Sequence, residues 1–374
     1  MFNGLLGLFS NDLSIDLGTA NTLIYVRNQG IVLDEPSVVA IHKKTKKVIA
    51  IGTEAKRMVG KTPHPIATIR PIQGGIIADF DACVSLISHY IQKVHEVGKP
   101  LPSVWARPKV VIGIPSSVTE VQRRAVWEAA LTAGARSAYL IEEPMAAAIG
   151  ENISIFQPTG VMIVDIGGGT TEIAVISLGG IVVGKSLKIA GNEMDQAIVH
   201  YIRLKHGLIL GETTAEEVKI KIGSAYKKSF RLRQGSGGQA KSKDEEKIEV
   251  KNEGGERMAI VRGRDIETGL PKSLRVSETE VREALSPVLS QIIEGIADAL
   301  EDTPPELTSD IMERGILLTG GGASLMGLDH LIVERTRMSV IVSNEPLLSV
   351  VKGTGKVLED DALLSRVKVI GGLK

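Results

Sequence analysis

The sequence predicts an α/β protein built from two related domains facing each other across a cleft, and three observations carry that expectation. The first is the stretch Val161–Ile176, V-M-I-V-D-I-G-G-G-T-T-E-I-A-V-I. Two runs rich in Val and Ile, each too short for a helix, flank a Gly-Gly-Gly-Thr-Thr turn, which reads as strand, tight turn, strand. The second is repetition. Laying Ser14–Val26 on Ile163–Val175 matches Asp16 with Asp165, Gly18 with Gly167, Thr22 with Thr171, Ile24 with Ile173 and Val26 with Val175, the two units lying about 150 residues apart. The third is another glycine turn, Thr319-Gly320-Gly321-Gly322-Ala323-Ser324, which follows the apolar run Gly315-Ile-Leu-Leu and precedes an expected helix.

Each turn has a chemical reading. Three successive glycines are expected to permit positive φ and close backbone approach, so that their amide N–H groups cradle an anion. Asp165 falls at the mouth of its turn, where a carboxylate suits Mg²⁺ through water, and Thr170 and Thr171 add hydroxyls. A glycine-rich hairpin alone is more often only a turn. Two of them, however, could clamp one polyphosphate and its metal from opposite sides, and the Gly320 turn could approach a nucleotide with N–H groups at a helix N-terminus. The arrangement differs from a Walker A loop or a dinucleotide fingerprint, both of which open a helix.

Composition narrows the class. The chain has 374 residues, enough for two domains, with 44 basic and 44 acidic residues and a formal net charge of +0. No basic stripe with interleaved aromatics occurs, so a nucleic-acid partner is not expected. Aromatic residues make up 3% of the chain, so the cores must be aliphatic. The one cysteine, Cys83, excludes an internal disulfide framework and suits a reducing cytoplasm; its setting Ala82-Cys-Val-Ser-Leu-Ile reads as a buried thiol. No apolar run reaches the roughly 20 residues of a membrane span. Met1–Ser10 lacks the basic start and long apolar core of a signal peptide, yet Phe2, Leu5, Leu6 and Phe9 share one helical face. That spacing fits a docked or disordered end, or an interfacial anchor whose weak single-copy binding would be multiplied along a polymer.

Along the chain, Asp12–Val26 is the first hairpin, Ile31–Ile51 continues as strands with a Lys-rich turn at Lys43–Lys47, and Gly52–Pro71 reads as helix then loop. Phe80–Val97 has helical spacing. The loop Leu101-Pro-Ser-Val-Trp105 offers large apolar groups between prolines, and Trp105 would suit a membrane interface. Lys109–Pro115 reads as a buried strand, Thr119 as the N-cap of the helix Glu120–Ala133, and Tyr139–Glu143 as a strand ahead of the helix Met145–Gly150. Paired glutamates before a proline are by default a solvated strand end. Helices are expected at Asp195–His206, Thr213–Gly223 and Ser277–Leu300, and Glu216 with Lys219 reads by default as a surface i,i+3 ion pair. Arg231–Arg257 is polar, Gly/Ser/Lys-rich and without periodicity, as expected of a mobile loop. Strand and helix return at Val340–Pro346 and around Val350–Leu358.

Asp16-Leu-Gly-Thr, Asp165-Ile-Gly-Gly-Gly-Thr and Gly320-Gly-Gly-Ala resemble the two phosphate motifs and the adenosine motif of the actin/Hsp70/sugar-kinase ATPases. Within that superfamily, I-D-L-G-T-A-N-T (15–22), I-E-E-P-M-A-A-A-I-G (141–150), I-A-G-N-E-M-D (189–195) and L-T-G-G-G-A (318–323) resemble the MreB family of bacterial actin-like cell-shape proteins. The resemblance runs from about residue 11 to about 365, broken by the Arg231–Arg257 insertion, which lengthens the second small lobe beyond the family's pattern.

The resemblance implies an actin-like (ribonuclease H-like, duplicated) ATPase fold, two domains each with a large and a small subdomain around a nucleotide cleft. The expected division is an apolar anchor at 1–10, subdomain IA at 11–33, 78–156 and 341–374, IB at 34–77, IIA at 157–191 and 268–340, and IIB at 192–267 with the inserted loop 231–257. It implies ATP/ADP with Mg²⁺ as cofactors. Asp16 and Asp165 would hold the metal's water shell, and Gly18, Thr19, Ala20, Asn21, Gly167, Gly168, Gly169, Thr170 and Gly191 would approach phosphates. Gly320, Gly321, Gly322 and Ala323 would take the adenosine side, with Glu216 and Lys219 near ribose and base. Glu143 would orient the attacking water with Thr170 as helper, since phosphoryl transfer needs mainly positioning and charge stabilisation. The implied partners are further copies of the chain in paired filaments, the inner face of the cell membrane met by Phe2, Leu5, Leu6, Phe9, Leu101 and Trp105, and the cell-wall elongation machinery. Two other classes share the fold. A small-molecule kinase would need a catalytic aspartate, for which the sequence offers no convincing candidate. An Hsp70-like chaperone would continue into a peptide-binding domain, whereas this sequence is expected to hold the ATPase body alone.

Overall fold

The computed structural model describes residues 10–96, 106–226, 248–253 and 255–369. They form two compact units: Met1–Gly191 with Glu294–Ala323 and Met338–Lys374, and Asn192–Ile293 with Ser324–Arg337.

The first unit contains two five-stranded sheets with one plan. In the first, β1 (Leu13–Leu17), β2 (Asn21–Val26) and β3 (Gly30–Pro36) form an antiparallel meander, and β9 (Lys109–Ile114) and β10 (Ser137–Glu142) extend it in parallel on the β1 side, giving the order β10-β9-β1-β2-β3. In the second, β11 (Val161–Ile166), β12 (Thr171–Ser177) and β13 (Gly180–Leu187) form the meander, and β18 (Ile316–Thr319) and β19 (Val340–Val342) extend it in parallel, giving β13-β12-β11-β18-β19. The sequence repeat is therefore a repeat of connectivity, strand for strand. Parallel strands covered on both faces read as continuous apolar runs, as Val110–Ile112 and Ile316–Leu318 do.

The rest of this unit decorates the first sheet. A small sheet of order β5-β4-β6 comprises β4 (Val39–His42), β5 (Val48–Ile51) and β6 (Ile66–Ile69), with α1 (Thr53–Met58) packed on it. The stretch expected as helix then loop thus ends in a strand that pairs with β4. A two-residue-turn hairpin, β7 (Ile72–Gln73) and β8 (Ile76–Ile77), leads into α2 (Phe80–Glu96). Helix α3 (Glu120–Thr132) opens with a capping box, in which the Thr119 hydroxyl accepts from the Gln122 N–H and the Gln122 side chain accepts from the Thr119 N–H. Leu86, Ile87, Cys83 and Tyr90 of α2 and Ala129 and Ala130 of α3 pack beneath Leu13, Ile15 and Ile24 of the first sheet. Cys83 is buried, and burial pushes its thiol up to about 12, so it is inert.

A second core joins the two sheets. It is built around α4 (Glu143–Gly150) and α10 (Ser349–Glu359), with Val111 and Ile141 from the first sheet and Ile163, Ala174 and Ile176 from the second. The helices cross at backbone distance. A Cβ at Gly353 would stand 1.7 Å from the Ala146 carbonyl oxygen, and one at Gly150 would stand 2.0 Å from that of Ser349. The run A-A-A-I-G of α4 is what lets the backbones meet. Helices α8 (Pro305–Arg314) and α11 (Asp361–Val367) complete the unit.

The second unit contains α5 (Gly191–His206), α6 (Glu212–Ile222), α9 (Leu328–Thr336) and an antiparallel sheet in which β16 (Glu256–Asp265) pairs with β14 (Leu208–Ile209), β15 (Glu249–Glu253) and β17 (Pro271–Ser277). Helix α7 (Glu278–Glu301) contributes to both units.

Three boundaries differ from the sequence reading. Helix α4 begins at Glu143 instead of Met145, because Pro144 sits in the first turn, where a missing N–H costs nothing. Helix α5 begins at Gly191 instead of Asp195. The expected loop Arg231–Arg257 is strand from Glu249 onward, turning at Gly255 (φ 86°) into β16, where Ala259 and Val261 supply the buried alternate positions. Residues 227–247 lie outside the described residues.

The α4–α10 crossing yields the first prediction. Gly353→Ala must push two helices apart and is expected to destabilise by about 1–3 kcal/mol or more, read as the midpoint of urea unfolding. Gly211→Ala, where no atom lies within 4 Å, is the control; as the N-cap of α6 it should cost only the capping difference between glycine and alanine, about 1 kcal/mol or less.

Candidate functional site

The duplicated plan puts like ends of the two sheets together. Asp16 and Asp165 occupy the same place in each meander, at the end of its first strand, and the turns that follow touch. A Cβ at Gly168 would lie 2.6 Å from the Ala20 Cβ, and one at Gly169 would lie 2.6 Å from Thr19 Oγ1. The sequence reading gave Gly167, Gly168 and Gly169 two reasons, positive φ and close backbone approach, and the first does not hold. Gly168 and Gly169 are glycines because the other turn leaves no room for a side chain, and Gly167 faces the Thr170 carbonyl of its own turn, 3.2 Å from where a Cβ would stand. The turn is closed by the Gly167 N–H donating to the Thr170 carbonyl (2.8 Å). Gly191 joins it, its N–H donating to the Gly167 carbonyl (3.2 Å).

The first turn is braced by its own neighbours. The Ser37 hydroxyl donates to the Gly18 carbonyl (2.6 Å), and the Asn21 side-chain amide donates to Asp34 (2.9 Å). Thr19 Oγ1 accepts from the Gly75 N–H (3.2 Å), so the β7–β8 turn also reaches the site. Gly75 is wedged there, since a Cβ would lie 2.6 Å from Pro115 Cγ and 3.0 Å from Thr170 Cγ2.

The third glycine turn closes on the second. Gly320 has φ 81°, and a Cβ on it would meet Asp165 Oδ1 at 2.2 Å. Both facts demand glycine. A Cβ at Gly322 would meet Ile166 Cγ2 at 2.3 Å, and one at Gly321 would meet Leu347 Cδ2 at 3.1 Å. Gly321–Ser324 form a 3₁₀ turn with buried Ala323, and the helix expected after the turn, α9, begins at Leu328.

Three carboxyl groups converge here. Burial pushes Asp165 up to about 8, reinforced by Asp16 and Glu172, and pushes Asp16 up to about 7, reinforced by Asp34. Glu143, the first residue of α4, is held well above the ordinary glutamate range by burial and then by Glu172, Asp16 and Asp165. Like charges kept together without a counter-charge are a place prepared for a cation. Among the described residues no three His, Cys, Asp or Glu side chains form a ready-made metal cage. Two hard oxygen donors beside N–H-rich turns do fit Mg²⁺, which binds through one or two carboxylates, water and substrate phosphates.

Glu216 and Lys219 lie on α6 in the second unit, where Lys219 Nζ stands 2.8 Å from Asp195 Oδ1. Phe2, Leu5, Leu6, Phe9, Leu101 and Trp105 lie outside the described residues. Among the described residues no helix is long and apolar enough to cross a membrane. Sequence reasoning missed Glu172, Ser116 and the Gly74–Gly75 turn. The signals were present: a charge opening the apolar run Ile173–Ile176, and a Gly-Gly pair between Ile-Gln and Ile-Ile, the mark of a tight hairpin.

The raised carboxyls set the sign of a pH effect. Each contributes its stability fully below the unfolded value of 3.8 for aspartate and loses it as pH rises through the folded value, about 7 for Asp16 and about 8 for Asp165. Without nucleotide or divalent cation, stability is expected to fall as pH rises from about 4, the fall ending near pH 7 for Asp16 and near pH 8 for Asp165, by at most about 1.4 kcal/mol per pH unit for each titrating group. Asp165→Asn should flatten that slope in urea titrations; an unchanged slope would show that the cluster carries no such strain.

The geometry can be set beside known proteins. The family model described as MreB/Mbl protein matches residues 10–253 and 227–366. The cell shape-determining protein MreB of Escherichia coli (strain K12) is 48% identical over 357 residues, covering 94% of each chain. The cell shape-determining protein Mbl of Bacillus subtilis (strain 168) is 42% identical over 362 residues, covering 97% of this chain and 100% of its own. Crystal structures of MreB5 of Spiroplasma citri superpose with TM-scores of 0.82 bound to ADP (37% identity, 95% of this chain and 98% of that one) and 0.81 bound to AMPPNP (38%, 94% and 96%). Sequence, fold and the twin-sheet plan agree, and the chain belongs to the MreB/Mbl family of actin-like proteins.

Proposed function

We propose that this chain is an ATP-dependent, membrane-associated actin-like filament protein that maintains rod cell shape by organising cell-wall synthesis. The single observation that carries the nucleotide reading is the meeting of Asp16, Asp165 and Glu143 at two touching, N–H-rich turns, with burial and neighbouring carboxylates raising all three carboxyls. A relative of known structure was crystallised with ADP and with AMPPNP, and the curated relatives are cell shape-determining proteins, which supports both halves of the reading.

In this proposal Asp16 and Asp165 hold the water shell of Mg²⁺, which when bound would neutralise phosphate charge. Backbone N–H groups of Gly18–Asn21 and Gly168–Thr170 hold phosphate oxygens, and Gly167 and Gly191, whose own N–H groups close the turn, bring the backbone up to the phosphates. Gly320–Ala323 line the adenosine side, with Glu216 and Lys219 assigned to sugar and base. Once the charges of Asp16 and Asp165 are balanced, part of the repulsion on Glu143 is lifted. Its carboxylate can then orient a water and accept its proton at the carboxylate oxygen, with the Thr170 hydroxyl as second contact. Nucleotide binding would favour head-to-tail contacts that do not close on themselves, hence filaments, and hydrolysis would weaken them. The apolar side chains of Phe2, Leu5, Leu6, Phe9, Leu101 and Trp105 would meet lipid, weakly in one copy and firmly along a polymer.

Two experiments test the reading. Glu143→Ala is expected to lower ATP turnover by roughly 10²–10⁴-fold while sparing nucleotide binding; unchanged turnover would remove Glu143 from the mechanism. Negative-stain electron microscopy on an anionic lipid monolayer is expected to show filaments with Mg-ATP and none without nucleotide, and deletion of Met1–Phe9 to strip them from the lipid. Dispersed particles in both nucleotide conditions would overturn the filament reading.

A further inference from the structure

Glu172 is a buried carboxylate to which the ATPase reading gives no task. It is 1% exposed and is the second residue of β12. Strand register sets it directly opposite Asp165 on β11 and Ser186 on β13, so the three side chains stand in one row on one face of the second sheet. Its carboxylate accepts hydrogen bonds from the Ser116 N–H (3.0 Å) and the Ser116 hydroxyl (2.7 Å) on one oxygen, and from the Ser186 hydroxyl on the other.

Ser186 belongs to the same sheet, but Ser116 does not. It follows β9 of the first sheet, so the carboxylate ties one sheet to the other. The segment it grips is shared with the proposed site. A Cβ at Gly113 would lie 3.5 Å from Glu143 Cγ, so the end of β9 is the floor on which Glu143 rests. Pro115, one residue before Ser116, holds Gly75 between itself and Thr170. Thus Gly113–Ser116 touches the proposed water-orienting carboxylate at one end and borders the phosphate turn at the other. Holding two sheets together does not require a buried charge, because apolar side chains do so at lower cost. The α4–α10 core already joins these sheets. Charge-assisted bonds add direction, which is what a positioning role needs.

We propose that Glu172 is a positioning residue for ATP hydrolysis, setting the placement of Glu143 relative to the Asp165–Thr170 turn through its hydrogen bonds to Ser116. This rests on the ATPase reading of the site. Turnover at saturating Mg-ATP and equilibrium binding of a fluorescent ADP analogue are measured on the full chain for wild type, Glu172→Ala, Glu172→Gln, Ser116→Ala and Glu143→Ala. Glu172→Ala is expected to lower turnover about 10- to 100-fold, the scale set by small misplacements of reacting groups. Its nucleotide affinity should stay within about threefold of wild type, the split that separates positioning from binding. Glu172→Gln keeps an acceptor for the Ser116 N–H and should recover part of the loss, and Ser116→Ala should lose part of the activity. If Glu172→Ala does not fold, the Gln and Ser116 variants decide. Folded variants that turn over within about twofold of wild type, or lose turnover only in proportion to affinity, overturn the proposal. If Glu143→Ala is inactive while the Glu172 variants are normal, only the positioning role fails. A wild-type chain that neither binds nor hydrolyses nucleotide overturns both.

Discussion

The structure of the first unit depends on one backbone contact, the crossing of α4 and α10. Each of two five-stranded sheets is a complete layer, and something must hold them so that their strand ends meet. Two helices packed through side chains lie about 8–10 Å apart, whereas glycine and alanine at the contact let main chains touch. Gly150 against Ser349 and Gly353 against Ala146 make such a contact, and buried Met145–Ile149 fill the space around it. Because Glu143 opens α4 directly after the last strand of the first sheet, the helix that joins the sheets also carries the proposed water-orienting carboxylate.

What the crossing brings together is electrostatically unfavourable on its own. Asp16, Asp165 and Glu143 are each raised by burial first and by neighbouring carboxylates second, Asp34 for Asp16, Asp16 and Glu172 for Asp165, and Glu172, Asp16 and Asp165 for Glu143. A fold optimised only for stability would not place three acids there, and such local conflict marks sites whose purpose is a ligand. The surrounding turns are shaped in the same sense. Glycines at 168, 169, 320 and 322 are fixed by how near the next backbone or side chain comes, which lets the turns close on one another where anions are proposed to bind.

Sequence and structure agree best where periodicity is strong. The Val/Ile runs around Asp16 and Asp165 could only be short buried strands, and their alignment anticipated two sheets with the same connectivity. Agreement weakens where a residue has more than one local option. Glu143 reads as a strand end, whereas in the structure it is the first residue of α4. The strand at Glu249–Glu253 was hidden in a polar stretch, because its pairing with β16 supplies what its own hydrophobicity lacks.

By itself, the sequence determined the duplicated motif, the three glycine turns, the acids at their mouths and the family, because these are written in residue type and spacing. Only the tertiary structure decided why the glycines are needed. Close approach between turns, not positive φ, excludes a side chain at Gly168 and Gly169, and no local rule reports how near a distant segment comes. The same holds for Glu172. Its neighbours in sequence mark it as a strand residue, and its partner Ser116 lies 56 positions away. A hydrogen bond between two sheets is a property of their packing, so it exists only once both have formed and met.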